Sequence, residues 1–192
     1  MKPIKAYASH IYGESFLNFN DNYISQLKAT IELMRRGDVN GRAVSNQQFG
    51  WQSDNLPHTG PFELLVKNIE DGAYNFCSNL KNFKFKKVRV EALWAYINYK
   101  GDINWPHKHQ GDLAGVYYLD THENCGNLIL DSYHYNQHCK ISSYLKISEG
   151  VCITPKNNKL VLFDSSCYHY VTKNKNDKIR ISMSFNIAID ND

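Results

Sequence analysis

The sequence lacks any long run of apolar residues. The N-terminal stretch MKPIKAYASHIYGESF holds no apolar core of signal-peptide length, and no later segment approaches the roughly 18 apolar residues that a membrane-spanning helix needs. We therefore expect a soluble, cytoplasmic protein that does not act in a membrane.

Neither a strong charge of one sign nor a cysteine pattern is present. Lysine and arginine total 22 against 19 acidic residues, and the resulting charge of +3 is scattered, which argues against a nucleic-acid-binding or membrane-binding surface. The five cysteines are odd in number and include no C-x-x-C pair, so neither a disulfide framework nor a structural zinc site is indicated. No feature of the sequence indicates an oligomeric state.

The apolar residues that are present make up 42% of 192 residues, enough for one hydrophobic core, and no change in composition divides the chain. We predict a single domain over residues 1–192. Within residues 1–82, one or two short strands are expected before two amphipathic helices, one in NDNYISQLKATIELMRR and one beginning near Pro61. The polar segment 37–60 predicts a long loop, in which we expect Trp51 to form a lid over a substrate.

Residues 83–192 show a different pattern, with alternating apolar and polar residues and many β-branched or aromatic side chains. The pattern predicts about eight short strands, separated by Gly, Asn, Asp and Pro rather than by helices. Such short connections indicate antiparallel pairing and favour a sandwich or barrel of jelly-roll type. The predicted fold class is therefore mainly β with flanking helices: residues 1–82 support a β core formed by residues 83–192.

Three histidines form a candidate metal site. His107 and His109 lie two residues apart, so their side chains point to the same side if an extended chain runs on into the strand AGVYYLD. His169 stands at the start of a later strand, which in an antiparallel roll could face the first pair across the interior. Spacing alone leaves an equal alternative, in which two solvated turn histidines and an unrelated third have no common role.

Several motifs around these histidines resemble a known family. SNQQFGWQS lies upstream; Trp94, Asn98, Gly101 and Asn104 lead into HKH and AGVYYLD; and GNLILDS, KLVLFDSSCYHYV and RISMSFNI follow. In this order they resemble iron(II)/2-oxoglutarate-dependent oxygenases, and most closely a family of bacteria and phages whose pattern ends in His, ten residues and Arg-x-Ser. The resemblance covers most of the chain and implies a cupin-like double-stranded β-helix, which is a form of jelly roll, for the core.

The resemblance also implies a set of metal ligands. His107, His109 and His169 are expected to bind Fe(II) on one face, which leaves the other positions for 2-oxoglutarate and O2. The superfamily usually has a carboxylate two residues after the first histidine, where this sequence has His109. Three neutral imidazoles make the metal a stronger Lewis acid and the site less selective for iron. Asp112 is the alternative carboxylate ligand, in which case His109 would support the ligands or contact the substrate.

Arg180 is the expected partner of the cosubstrate. A dicarboxylate that binds iron through one end leaves its distal carboxylate deep in the barrel, where it needs a charge-matched donor. Ser182 lies on the same strand face and can donate another hydrogen bond, and Tyr118 joins them by resemblance. Asn98 and Asn104 are expected to orient the cosubstrate or the ligating imidazoles.

The predicted function is that of an Fe(II)- and 2-oxoglutarate-dependent dioxygenase that hydroxylates a substrate while 2-oxoglutarate is decarboxylated to succinate. The prime substrate is not encoded in any recognisable motif, and we expect its contacts in segment 37–60 and in loops 120–125 and 132–140. Two other classes also fit three histidines. One is a metal enzyme without 2-oxoglutarate, either a zinc hydrolase or lyase or a non-haem iron dioxygenase, and the other is a non-catalytic β-roll binding protein. Arg180 separates the predicted oxygenase from the first of these classes, and absence of metal at an intact triad would indicate the second.

Overall fold

The computed structural model of the protein describes residues 5–7, 10–47, 50–131 and 150–191. Two α-helices and twelve β-strands lie in these residues. In the first part of the chain they are β1 (Lys5–Tyr7), β2 (His10–Phe16), α1 (Asp21–Gly37), β3 (Asn46–Gln47), β4 (Trp51–Gln52) and α2 (Glu63–Ser78). The remaining strands are β5 (Lys87–Asn98), β6 (Ile103–His107), β7 (Leu113–Asp120), β8 (Leu128–Asp131), β9 (Val151–Ile153), β10 (Lys159–Asp164), β11 (Tyr168–Val171) and β12 (Arg180–Asp190).

The strands form two antiparallel sheets that together enclose a pocket. The large sheet has seven strands in the order β1-β2-β10-β7-β12-β5-β4, and the small sheet has five in the order β3-β6-β11-β8-β9. Neighbours in each sheet are mostly distant in sequence, as in a jelly roll, and residues of both sheets line the same pocket. The predicted mainly β fold with a jelly-roll core is confirmed.

The two faces of the large sheet have different partners. Because side chains alternate along a strand, every second residue of β12 points toward the helices and the others point toward the small sheet. The helix-facing side forms the main core with α1 and α2, and it includes Leu27, Ile31, Leu65, Ile69, Phe76, Leu93, Tyr117, Met183 and Phe185. The opposite side forms a smaller core with the small sheet, including Tyr12, Ala114, Val116, Tyr118, Leu128, Leu130, Val161 and Phe163.

One extra residue in β5 changes which of its side chains face the helices. Asn186 of β12 is opposite Ala92, but Ile187 is opposite Val90, so Glu91 has no partner in β12 and forms a β-bulge. Before the bulge, Val88 and Val90 pack toward the helices. After it, Leu93, Ala95 and Ile97 do so, and Trp94 and Tyr96 line the pocket.

The two predicted helices are present and have the expected local signals. The side chain of Asn20 accepts a hydrogen bond from the Tyr23 main-chain N–H and so caps α1. Pro61 lies in a single 3-10 turn, Gly60–Phe62, which leads directly into α2. The hydroxyl of Tyr23 joins the two helices, because it donates to the Pro61 carbonyl and accepts from the Leu65 N–H.

Segment 37–60 differs from the predicted loop. It contributes β3 to the small sheet and β4 to the large sheet. Trp51 in β4 is 3% exposed and belongs to the main core, and its indole N–H donates to the Asp38 carbonyl. The expectation that Trp51 forms a lid over a substrate is therefore wrong. Burial of the Trp51 indole stabilises the fold, because a fully buried indole removes a large apolar area from water.

Two further expectations concern the strands and the membrane. One of the eight short strands predicted in residues 83–192, in KISSYLKIS, lies outside the described residues, as does the predicted substrate loop 132–140. β6 was not predicted, because its sequence INWPH contains a proline and has no clear alternation. No helix in the described ranges is long and apolar enough to cross a membrane.

Candidate metal and cosubstrate site

The structure brings His107, His109 and His169 together at the point where the two sheets meet. His107 ends β6, and His169 lies directly opposite it in β11, within the small sheet. His109 follows in the turn that connects β6 to β7 of the large sheet. One nitrogen from each ring lies within 4.8 Å of the others. The chain does not run extended from the histidines into β7, because His107 ends a strand of the small sheet and His109 lies in the turn that leads to the large sheet. His169 is a neighbour of His107 in the small sheet.

Each imidazole has an oxygen acceptor at its Nδ1 atom. His107 Nδ1 lies 2.6 Å from the Trp105 carbonyl oxygen, and His169 Nδ1 lies 3.0 Å from the Cys167 carbonyl oxygen. His109 Nδ1 lies 2.7 Å from the amide oxygen of Asn186. Because these oxygens only accept hydrogen bonds, each Nδ1 carries the proton and each Nε2 keeps a free lone pair.

Two of these free lone pairs face each other. The Nε2 atoms of His109 and His169 are 3.1 Å apart, and their rings are stacked with an interplanar angle of 17°. Two nitrogen lone pairs at hydrogen-bond distance repel each other unless a proton or a cation lies nearby. The donor chemistry of the three rings therefore fits a divalent metal ion that accepts neutral imidazole ligands.

Burial keeps all three rings neutral. Desolvation, followed by the neighbouring His107, lowers the pKa of His109 to about 4. Desolvation also lowers the pKa of His107, and it lowers that of His169 well below 6.5. Neutral imidazole is the form that binds metals, so the rings need not lose protons to bind a metal near pH 7.

Asp112, the alternative carboxylate ligand, lies apart from this group. One of its carboxylate oxygens accepts a hydrogen bond from the Ile189 main-chain N–H at 2.7 Å. Burial raises the pKa of the Cys77 thiol to about 11, and the charge of the Asp112 carboxylate adds to that rise. Within the described ranges, the only group of at least three His, Cys, Asp or Glu side chains with metal-ligand spacing is the histidine triad.

Arg180 is a buried cation without a carboxylate partner. It is 2% exposed, and its Nη atoms donate to the carbonyl oxygens of Cys125 at 3.1 Å and Gly126 at 3.3 Å and to Asn98 Oδ1 at 2.7 Å. Its Nε atom has no hydrogen-bond partner. Asp102 is near enough to act on it electrostatically, but no salt bridge in the described part of the chain involves Arg180. Desolvation lowers its pKa, which indicates a guanidinium whose charge is poorly compensated.

Tyr118 and Ser182 lie beside Arg180 with free hydroxyl groups. The two residues are opposite each other in β7 and β12, and both line the pocket. Within the described residues, neither hydroxyl has a hydrogen-bond partner. Burial raises the pKa of Tyr118, while the charge of Arg180 opposes that rise, so the phenol stays protonated and able to donate. Tyr117 packs in the main core on the other face of the sheet.

Asn98 and Asn104 contact Arg180 and the pocket wall rather than the imidazoles. Asn98 accepts from Arg180 and donates to Asn104 Oδ1 at 3.3 Å, and Asn104 donates to the Ser45 hydroxyl at 3.3 Å. The Ser45 hydroxyl in turn lies 3.1 Å from the Tyr96 hydroxyl. This chain of hydrogen bonds connects segment 37–60 to the guanidinium.

Two site residues were not identified from the sequence, namely Ser45 and Asn186. Both lie in motifs that carry the family resemblance, SNQQFGWQS and RISMSFNI, but asparagine and serine are also common in turns and at strand ends. Their partners come from distant parts of the chain, so only the strand register reveals them.

The pocket that contains these groups comprises about 460 Å³ of space between atoms, part of which is open solvent. Its wall combines the histidines and Arg180 with neutral polar and apolar side chains, and no aspartate or glutamate of the described chain lines it. It is therefore a positively charged cavity suited to an anionic ligand.

Comparisons with known proteins agree with this geometry. The family described as "Putative 2OG-Fe(II) oxygenase" matches residues 92–186. The chain belongs to the iron(II)/2-oxoglutarate-dependent oxygenase superfamily. The matched range of this oxygenase contains all three histidines, Tyr118 and Arg180. The cofactors are Fe(II) and 2-oxoglutarate, and the pocket offers the neutral imidazoles and the guanidinium that they need.

Solved structures share the fold of this oxygenase at low sequence identity. AviO1 from Streptomyces viridochromogenes Tue57 has a TM-score of 0.65 at 15% identity, over 92% of this chain and 89% of that chain. A prolyl-4-hydroxylase from Pseudomonas putida has a TM-score of 0.62 at 12% identity, over 96% and 94%. The viral collagen prolyl hydroxylase from Paramecium Bursaria Chlorella virus-1, solved with 2-oxoglutarate, has a TM-score of 0.59 at 16% identity, over 92% and 94%. No curated protein matches the sequence.

Proposed function

We propose that residues 1–192 form one oxygenase domain that hydroxylates a C–H group of a small or polymeric substrate. In this proposal His107, His109 and His169 bind Fe(II), and Arg180, Tyr118 and Ser182 bind 2-oxoglutarate. Bound Fe(II), with 2-oxoglutarate and O2, would supply the oxidising chemistry and release succinate and CO2.

The observation that carries the proposal is the presence of two complementary groups in one pocket. One is a triad of neutral imidazoles with free Nε2 lone pairs, and the other is a buried guanidinium with no carboxylate partner. A dicarboxylate could bind the metal through one end and the guanidinium through the other. It would thereby supply further ligands to the metal and the missing carboxylate partner to the guanidinium. Arginine suits this role because its planar fork binds a carboxylate through two hydrogen bonds.

The residues around Arg180 prepare it for this contact. Asn98 and the carbonyl oxygens of Cys125 and Gly126 hold the two Nη atoms, so the guanidinium loses little conformational freedom when the cosubstrate binds. The free hydroxyl groups of Tyr118 and Ser182 would donate further hydrogen bonds to the same carboxylate. Apolar side chains of the smaller core also line the pocket, and such a lining would strengthen each of these interactions by keeping water away from the bound carboxylate.

An anaerobic titration tests the proposal without knowledge of the prime substrate. Metal-free protein would be loaded with one equivalent of Fe(II), and 2-oxoglutarate would be added while visible absorbance is recorded. We expect a charge-transfer band that saturates at one equivalent of 2-oxoglutarate, followed by slow succinate formation when O2 is admitted. The band should be missing in His169→Ala and retained in His122→Ala, a matched control outside the pocket.

Other classes of protein predict a different result. A zinc hydrolase or an iron dioxygenase without 2-oxoglutarate would bind metal but give neither the band nor succinate, and a non-catalytic binding protein would bind no metal at the triad. Absence of the band in protein shown to contain Fe(II) would therefore refute the role given to 2-oxoglutarate.

A further inference from the structure

The three histidines differ in how their Nδ1 atoms are held. For His107 and His169, the acceptor is the main-chain carbonyl oxygen two residues earlier in the same strand region, at Trp105 and Cys167. Such an acceptor cannot be removed by a side-chain substitution. For His109 the acceptor is the side chain of Asn186, which lies 77 positions later in the chain. His109 is therefore the imidazole whose orientation depends on one replaceable group.

His109 needs such a partner because it lies in a turn rather than in a strand. Its main-chain N–H donates to the Ser165 carbonyl oxygen at 3.0 Å, and its ring stacks on the indole of Trp94 with centroids 5.5 Å apart. These contacts fix the position and plane of the ring, but neither determines which nitrogen carries the proton. The neighbours of Asn186 in the adjacent strands are Ala92 and Ala114. Their small side chains leave room for the amide to reach the ring.

The alternative tautomer of His109 would prevent metal binding at this site. If the proton moved to Nε2, that N–H would point at the free lone pair of His169 Nε2, which is 3.1 Å away. The two rings would then form a hydrogen bond with each other, and neither Nε2 lone pair would remain free for a metal.

We infer that Asn186 is a positioning residue that keeps His109 in the tautomer able to bind a metal through Nε2. The inference rests on the proposed function insofar as the histidines are metal ligands. It assigns Asn186 no contact with metal, cosubstrate or substrate. It explains why the position that usually carries a carboxylate ligand can carry a histidine in this chain, since a third imidazole needs a third Nδ1 acceptor.

Two substitutions of similar size separate hydrogen bonding from packing. Asn186→Leu keeps the shape but removes the acceptor. Asn186→Asp has only acceptor oxygens and holds the Nδ1 proton more strongly than the amide does, because an amide can also turn its NH2 group toward the ring. Metal affinity should therefore be highest in Asn186→Asp, intermediate in wild type and lowest in Asn186→Leu.

The first measurement is the affinity for Fe(II) or Co(II) in the absence of 2-oxoglutarate, by anaerobic competition with a chromogenic chelator. Asn186→Leu should lose roughly 10- to 100-fold in affinity, as is typical when the hydrogen-bond partner of a metal-binding histidine is removed. Asn186→Asp should bind at least as tightly as wild type. Equal affinity of the Leu variant and wild type, or an Asp variant as weak as the Leu variant, would overturn the inference.

The second measurement uses metal-free protein, so it does not depend on the proposed function. Long-range proton–nitrogen NMR correlations report which ring nitrogen of each histidine is protonated. In Asn186→Asp the proton of His109 should be on Nδ1, and in Asn186→Leu it should move to Nε2, while the signals of His58 and His122 stay unchanged. An unchanged tautomer of His109 in the Leu variant would refute the inference even if metal binding were lost. Failure of wild type to bind 2-oxoglutarate would refute only the proposed function.

Discussion

Replacing Arg180 by leucine should separate cosubstrate binding from metal binding. In the wild-type pocket the guanidinium is 2% exposed and hydrogen bonds only to neutral oxygen atoms through its Nη groups, and its Nε atom is unpaired. A bound carboxylate would gain a charged partner that is already desolvated. Leucine would leave that carboxylate buried and unpaired, at a cost of about 3 kcal/mol or more. The affinity for 2-oxoglutarate should therefore fall by at least about 150-fold.

The assay is the anaerobic titration of Fe(II)-loaded protein with 2-oxoglutarate, followed by absorbance. Arg180→Leu should still bind one equivalent of Fe(II), because none of the contacts of Arg180 involves the histidines. Lys178→Leu is the matched control, since it removes one exposed positive charge from the residues just before β12 and should leave the affinity unchanged. An affinity in Arg180→Leu within a few-fold of wild type would refute the assignment of Arg180 to the distal carboxylate.

Three further predictions concern the ligands, the loop behind Arg180 and the core. His109→Ala should abolish Fe(II) binding, whereas Asp112→Ala should retain it, as measured by iron content after anaerobic gel filtration; the opposite pattern would make Asp112 the ligand. Gly126→Ala should lower the free energy of unfolding and weaken the binding of both ligands, because Gly126 has φ +90° and an added Cβ would clash with the Thr172 carbonyl oxygen and lie 3.2 Å from Arg180 Nη1; unchanged stability in a denaturant titration would contradict this. Trp51→Ala should cost roughly 3–5 kcal/mol in the free energy of unfolding by denaturant titration; unchanged stability with weaker ligand binding would restore the lid interpretation.

The sequence predicted those parts of the fold that depend on local patterns. Helical spacing predicted α1 and α2, and alternation predicted most strands of the core. Alternation also accounts for Tyr118 and Tyr117 facing opposite sides of β7. Local patterns failed for β6, where a proline interrupts the strand signal, and for Trp51, where a polar context concealed a strand on the edge of the large sheet.

The arrangement of the candidate site depends on long-range pairing, which the sequence does not encode locally. Residue type alone identifies the three histidines as candidate metal ligands, but their convergence depends on the register that sets His169 opposite His107. The choice between His109 and Asp112 likewise required the turn after β6, which points the carboxylate toward Ile189. The contacts of Asn186 and Asn98 join residues about 80 positions apart, and no periodicity reports on them.

The β-bulge at Glu91 constrains how this chain can change in length over evolution. It shifts the alternation of β5 by one residue, so that Val88 and Val90 face the helices while Trp94 and Tyr96 still face the pocket. Loss of Glu91 alone would restore continuous alternation without turning over either half of the strand, because every other residue of β5 would keep its partner in β12. Loss of one residue within Leu93–Ile97 would instead move the side chains on one side of the deletion to the opposite face, so that either the helices would lose apolar partners or the pocket would lose its aromatic wall. Homologous chains that keep both faces should therefore vary by a single residue at the bulge rather than within Leu93–Ile97.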